Sequence, residues 1–158
     1  MSGSGNMSTP RIQRTGWLLV AVQFVLFAAV LFLPRRAQTS EWLLIVGGVL
    51  AVAGVVVVGL AFVRLGGALT PTPVPLPGAG LRTDGMYGRV RHPMYSGIVL
   101  IALGIVAAIG SWWTLAWFVV LVVFFVSKSR WEDQLLAESY GVQWQEWAAR
   151  TGGLFPRF

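Results

Sequence analysis

SGIVLIALGIVAAIGSWWTLAWFVVLVVFFV, residues 96–126, is two apolar runs divided by Gly110-Ser111, and whether that dipeptide is a turn or a bend decides the fold. The runs, Ser96–Ile109 and Trp112–Val126, hold 14 and 15 residues. A membrane-crossing helix needs roughly 20, and Met94, Tyr95 and Ser127 bring both runs nearer to that length. A turn makes a helical hairpin with two crossings. A bend makes one crossing and sends the C-terminus to the opposite face.

Charge separates the alternatives. Upstream lie two more apolar spans, Trp17–Leu33, interrupted only by Gln23, and Trp42–Val63. With four crossings, one face carries ten of the twelve basic residues: Arg11, Arg14, Arg64, Arg82, Arg89, Arg91, Lys128, Arg130, Arg150 and Arg157. The other face carries only Arg35 and Arg36. Three crossings would move four of the ten across. The positive-inside bias therefore favours the hairpin, with both termini on the cytoplasmic side of a bacterial-type inner membrane.

Composition agrees with an all-α, polytopic integral membrane protein of four transmembrane helices. Of 158 residues 56% are hydrophobic and 11% charged, far from the balance of a soluble domain. There is no cysteine and one histidine, which removes disulfides and thiolate chemistry and argues against a bound metal. The net charge of +6 is spread beside apolar spans, without the continuous stripe that binds nucleic acid, so anionic lipid headgroups are the expected partners.

Residues 1–14 read as a disordered tail, and either Met1 or Met7 suits a start. Residues 15–158 form a single domain. Arg11 and Arg14 before an apolar run look like a signal peptide, but the run is long for one, and Pro34-Arg35-Arg36 stands where a cleavage site would be. The first helix is therefore expected to stay. In the second, Gly47, Gly48, Gly54 and Gly59 are expected to let helices pack closely. Thr70 to Pro77 has proline at every second position and reads as an extended, polyproline-like crossing, equally a linker or a strap over a surface cavity.

Polar chemistry concentrates at Gly85-Met86-Tyr87-Gly88-Arg89-Val90-Arg91-His92-Pro93-Met94-Tyr95-Ser96-Gly97. This run holds the only histidine and two of the three tyrosines. His92 is pushed from the helical region by Pro93, which suits a first helical turn, and Gly97 permits the close approach of a helix or a ligand. An interfacial anchor, with arginines on lipid phosphates and tyrosines at headgroup depth, has the same composition.

Beyond the hairpin, Lys128 and Glu132 are spaced to pair along a helix. Leu135, Leu136, Trp144 and Trp147 suggest an interfacial helix, broken near Gly141 and stopped by Gly152-Gly153.

Gly85-Met86-Tyr87, Arg91-His92-Pro93-Met94-Tyr95, two apolar helices, then Glu132-Asp133-x-x-Leu136, Tyr140-Gly141 and Phe155-Pro156 resemble, in that order, the isoprenylcysteine carboxyl methyltransferase family and its phospholipid methyltransferase relatives. The likeness covers residues 64–158, and Asp133 replaces the second glutamate of the family's usual pair. It implies an S-adenosylmethionine-dependent methyltransferase, carboxyl O-methylation foremost, acting on a lipophilic acceptor that enters from the bilayer.

By that resemblance Arg91, His92 and Glu132 are the catalytic candidates, and Tyr87, Arg91, His92, Pro93, Tyr95, Glu132 and Asp133 would hold the cofactor, with no metal. A carboxylate acceptor is already ionised at neutral pH. An amine acceptor would need Glu132 or His92 as a base. No glycine-rich fingerprint of a Rossmann-type methyltransferase is present. Membrane sterol and fatty-chain reductases, which use NADPH, resemble the Arg-His-Pro-x-Tyr turn as well, and a non-catalytic interaction protein is the third reading.

A reporter fused after Phe158 is expected to act in the cytoplasm; its appearance outside the cell would overturn the four-crossing topology.

Overall fold

The computed structural model describes residues 10–35, 39–66, 72, 74 and 80–157. Its helices are α1 (Pro10–Ala29), α2 (Glu41–Leu65), α3 (Pro93–Ile109), α4 (Trp112–Tyr140) and α5 (Val142–Arg150), with single 3-10 turns at Val30–Phe32 and Gly85–Gly88. No strand occurs among the described residues; Val90 and Gly152 form one isolated parallel bridge. Three stretches, Pro10–Phe32, Glu41–Leu65 and Trp112–Tyr140, are long and apolar enough to cross a membrane, and α3 is a shorter apolar helix of 17 residues.

Gly110-Ser111 is a turn. Gly110 takes the left-handed conformation at φ 65° and closes α3 with its amide on the Val106 carbonyl. That conformation favours glycine, which has no Cβ to clash. Ser111 then opens α4. Its Oγ accepts from the Trp113 amide at 3.2 Å, and its own amide donates to Thr114 Oγ1 at 3.3 Å. The two legs pack through Val99 and Ala102 against Trp117, Leu121 and Phe125, with Leu26 and Phe27 of α1 on the margin. Low residue numbers on α3 meet high ones on α4, so the helices are antiparallel.

The tightest seam joins α2 to α3. A Cβ on Gly54 would stand 2.5 Å from the Gly97 carbonyl oxygen, and one on Gly97 would stand 2.8 Å from that of Gly54. Two turns along, Gly47 and Gly104 repeat the arrangement at 2.6 and 2.5 Å. Membrane helices lack a hydrophobic drive toward each other and associate through such backbone contact. Of the four glycines expected in this role on α2, Gly47 and Gly54 fill it. Among the described residues, a Cβ on Gly48 or Gly59 would meet nothing within 4 Å. Gly97 serves helix approach.

Helix α1 begins at Pro10, so residues 10–14, expected within a disordered tail, are helical. Pro10 suits a first turn because a helix leaves its first amides unbonded anyway, and Thr15 Oγ1 donates to the Arg11 carbonyl at 3.1 Å. Met1 to Thr9 lie outside the described residues, as does the alternating-proline stretch apart from Thr72 and Val74. Those two are buried, and they lie beside Gly16 of α1. The break expected near Gly141 is present at φ 53°, between α4 and α5.

Gly54→Ala is expected to lower the thermal unfolding midpoint of detergent-solubilised protein, by the ~1–3 kcal/mol typical of overpacking. Gly48→Ala, on open space, is expected to leave it unchanged. Equal midpoints would remove the glycine seam as the α2–α3 contact.

Candidate functional site

The antiparallel hairpin brings the start of α3 and the far half of α4 to one end of the molecule. His92 and Asp133, 41 positions apart in sequence, meet there at 2.9 Å between Nε2 and Oδ1. Arg91 closes on the same carboxylate. Its Nε lies 3.2 Å from each Asp133 oxygen, and its second guanidinium nitrogen donates to Oδ2 at 3.1 Å. The remaining terminal nitrogen donates to the backbone carbonyls of Thr151 at 2.7 Å and Ala148 at 3.3 Å. Guanidinium offers five N–H groups. These bonds use four of them.

Glu132 faces the other side of the cluster. Tyr95 donates its hydroxyl to Oε2 at 2.8 Å, and His92 Nδ1 lies 3.5 Å from the same oxygen. The His92 and Tyr95 rings stack with centroids 5.4 Å apart. Glu132 keeps 24% of its side chain exposed where His92 keeps 3%, so the carboxylate retains free acceptor positions on an open side.

Both ring nitrogens of His92 therefore face carboxylates. An imidazole can donate from both only when protonated. Burial alone would lower its pKa, but Glu132 and the hydrogen bond to Asp133 outweigh that and raise it to about 9. The raised value favours the imidazolium at neutral pH, set between the Glu132 and Asp133 carboxylates. Burial, reinforced by Glu132, likewise pushes the Tyr87 phenol up to about 12 and keeps it protonated.

The C-terminal segment fastens the motif loop. The Arg91 amide donates to the Gly152 carbonyl at 2.8 Å, that of His92 to Gly153 at 3.1 Å, and that of Gly152 to Arg89 at 3.1 Å. Ser96 Oγ donates to the Leu154 carbonyl, and buried Trp147 Nε1 donates to the Tyr87 carbonyl at 2.8 Å. Arg91 lies over the Trp144 ring, 5.8 Å from its centroid. Trp144 Nε1 is buried and, among the described residues, has no hydrogen-bond partner.

The geometry thus gathers Arg91, His92, Tyr95, Glu132 and Asp133 directly. Pro93 is fully buried beneath them as the first residue of α3. Tyr87 joins through its backbone and through the field of Glu132. Lys128 does not pair with Glu132: it donates instead to Gln23 Oε1 of α1 at 2.5 Å. The sequence reading of that spacing is corrected because Glu132 is turned toward Tyr95. It also missed the fastening by Ala148, Thr151, Gly152 and Leu154. Those contacts run through main-chain carbonyls, which carry no side-chain signature. Among the described residues no cluster of metal-ligating side chains occurs.

Below pH about 6.5 the His92 pairing is expected to stabilise the fold in full, and to be lost as pH rises through about 9. The sign follows from a folded pKa above the unfolded one, and the size is on the order of 3 kcal/mol. Thermal midpoints of wild type and His92→Gln are expected to be widely separated at pH 6 and to converge by pH 9.5. A constant separation would mean that His92 is neutral.

Comparison with family models gives a match over residues 42–143 to the one described as phospholipid methyltransferase. That span takes in α2, the motif loop, the hairpin and the Glu132-Asp133 pair. A comparison with curated proteins matches none of them.

Proposed function

Because the chain belongs to the phospholipid methyltransferase family, and is a membrane methyltransferase by that membership, we propose that it uses S-adenosylmethionine and methylates a lipophilic acceptor reaching it from the bilayer, foremost at a carboxylate. The observation that carries this reading is the cluster at Arg91, His92, Tyr95, Glu132 and Asp133, assembled from the two segments in which the family resemblance lies.

The residues suit the cofactor. It carries a carboxylate, an ammonium, a ribose diol and a flat base, and the cluster offers a half-open carboxylate, aromatic faces and a spare donor. Glu132, with acceptor positions left after Tyr95, would take the ammonium or the ribose hydroxyls. Arg91 has one N–H left for a carboxylate, and its main work would be to hold Asp133 and the C-terminal segment in place. The unpartnered Trp144 Nε1 is a donor that burial leaves costly unless an acceptor arrives. Tyr87 would supply a ring face to a cation, whereas the Tyr95 ring already stacks on His92 and meets the Lys128 ammonium. When bound, the cofactor supplies a methyl group on a cationic sulfur.

The state of His92 bears on the acceptor. An imidazolium fixed between two carboxylates has no lone pair with which to take a proton. An amine acceptor would then depend on Glu132 alone as base, whereas a carboxylate needs none. Catalysis would rest on alignment of acceptor and methyl group and on exclusion of water. This favours carboxyl methylation.

The same reading has α3 cross with the other three helices, residues 15–158 form one domain with the cofactor residues in 64–158, and both termini and the site lie on the cytoplasmic side of an inner membrane.

Calorimetric titration of detergent-solubilised protein with S-adenosylhomocysteine and, separately, with NADPH tests the proposal. S-adenosylhomocysteine is expected to bind, and Glu132→Ala to weaken it at least tenfold, as loss of a hydrogen bond to a charged group does, about 1.5–3 kcal/mol. Binding of NADPH alone would move the chain to the reductases.

A further inference from the structure

Among the described residues, Lys128 is a buried charge that the cluster above does not absorb. It sits on α4 four residues before Glu132, one turn or ~6 Å deeper toward the apolar middle of the helix. It is only 4% exposed. A cation held among apolar helices is expensive and marks a functional position unless fully paired.

Among the described residues its pairing is incomplete. An ammonium has three N–H donors. One meets Gln23 Oε1 at 2.5 Å. Around the rest stand aromatic rings rather than lone pairs: Tyr95 at 5.1 Å to its centroid, and Phe124 and Phe125 each at 5.9 Å. Gln23 is in turn the only polar residue between Trp17 and Leu33 of the first span. A neutral amide oxygen is a weaker partner for a buried ammonium than an ionised carboxylate or phosphate oxygen. An anion arriving at Lys128 would add the attraction of opposite charges to the hydrogen bond it replaces.

The place is suitable for a ligand arriving sideways. Helix α1 lies on α4 without interlocking backbones, through Trp117 Nε1 on the Leu26 carbonyl, the Phe27–Phe125 ring contact and the Gln23–Lys128 bond. The α2–α3 seam is far tighter. Between α1 and α4, an amphiphile would keep its chain in the bilayer and bring its head to Lys128, beside the ring of Tyr95.

We propose that Lys128, with Gln23 as its placeholder, is the recognition point for a single anionic head, carboxylate or phosphate, on a long-chain acceptor entering between α1 and α4. This rests on the methyltransferase reading for the word acceptor; the anion site itself does not.

The test uses the full chain in a neutral maltoside detergent. Tryptophan fluorescence follows titration with oleate, with dodecyl phosphate and with methyl oleate as the uncharged control. Wild type is expected to bind at least one of the two anions tenfold or more tighter than methyl oleate. Preference for oleate alone, for dodecyl phosphate alone, or for both identifies the head as carboxylate, phosphate or either. Lys128→Met is expected to abolish the preference and Lys128→Arg to restore most of it, with unfolding midpoints confirming folded protein.

Should Lys128→Met fail to fold, Gln23→Glu gives the second reading. It sets a permanent carboxylate against the ammonium and is expected to weaken anion binding at least tenfold. Absence of any anion preference in wild type, or its survival in both Lys128→Met and Gln23→Glu, would overturn the proposal. S-adenosylhomocysteine titrated into the same wild-type sample separates the two readings: if it fails to bind while the anion preference stands, the methyltransferase site is misassigned and the anion site remains.

Discussion

One carboxylate holds this structure together at its polar end. Asp133 receives Arg91 and His92 at once, and so joins the loop before α3 to the far half of α4. Buried charges are costly, and removing one partner of such a set typically costs several kcal/mol because the others are left uncompensated. The arrangement is consequently all or nothing. With Asp133 in place the imidazolium is stable, Arg91 is aimed at the Thr151 and Ala148 carbonyls, and the C-terminal segment lies down over the loop. Asp133 reaches both partners because the loop before α3 stands within hydrogen-bond distance of α4.

That closeness is inherited from the apolar half of the molecule. Reciprocal glycines on α2 and α3 allow backbone contact, and the hairpin turn sets α4 against α3 through Trp117, Leu121 and Phe125. No element of the cluster is held by a flexible loop alone. The motif segment is fixed by its amides on Gly152 and Gly153, and by the Trp147 indole on the Tyr87 carbonyl. Electrostatics at one end and shape at the other therefore act on the same helices.

How much of this could be read from the chain varies by the kind of force involved. The helices were legible, since long apolar runs with sparse charge leave few alternatives, and Gly110-Ser111 carried a recognisable stop and start. The residues of the polar cluster were legible as a set: the only histidine, flanked by arginine and proline, and an acidic pair beyond the second apolar run of the hairpin. Their partners were not. The Lys128–Glu132 spacing suggested a pair along one helix, yet tertiary neighbours took both side chains, Gln23 the one and Tyr95 the other. Spacing reports who could meet on an isolated helix, whereas burial decides who does. The helical start at Pro10 was equally hidden, because the polar residues of the first turn match a tail as well as they match a helix end.

The two-residue turn at Gly110-Ser111 gives the hairpin the character of a ruler. The count of residues from the turn down to His92 on one leg, and out to Asp133 on the other, sets which faces look at each other across the gap. One residue added to or lost from either leg would rotate everything beyond it by about 100° and shift it by ~1.5 Å, turning the carboxylates away from the imidazole while leaving every apolar contact chemically plausible. Side chains along the hairpin can drift, since one aliphatic residue replaces another at small cost. Its length in residues cannot. In this protein the polar site is read off a distance that only apolar residues measure.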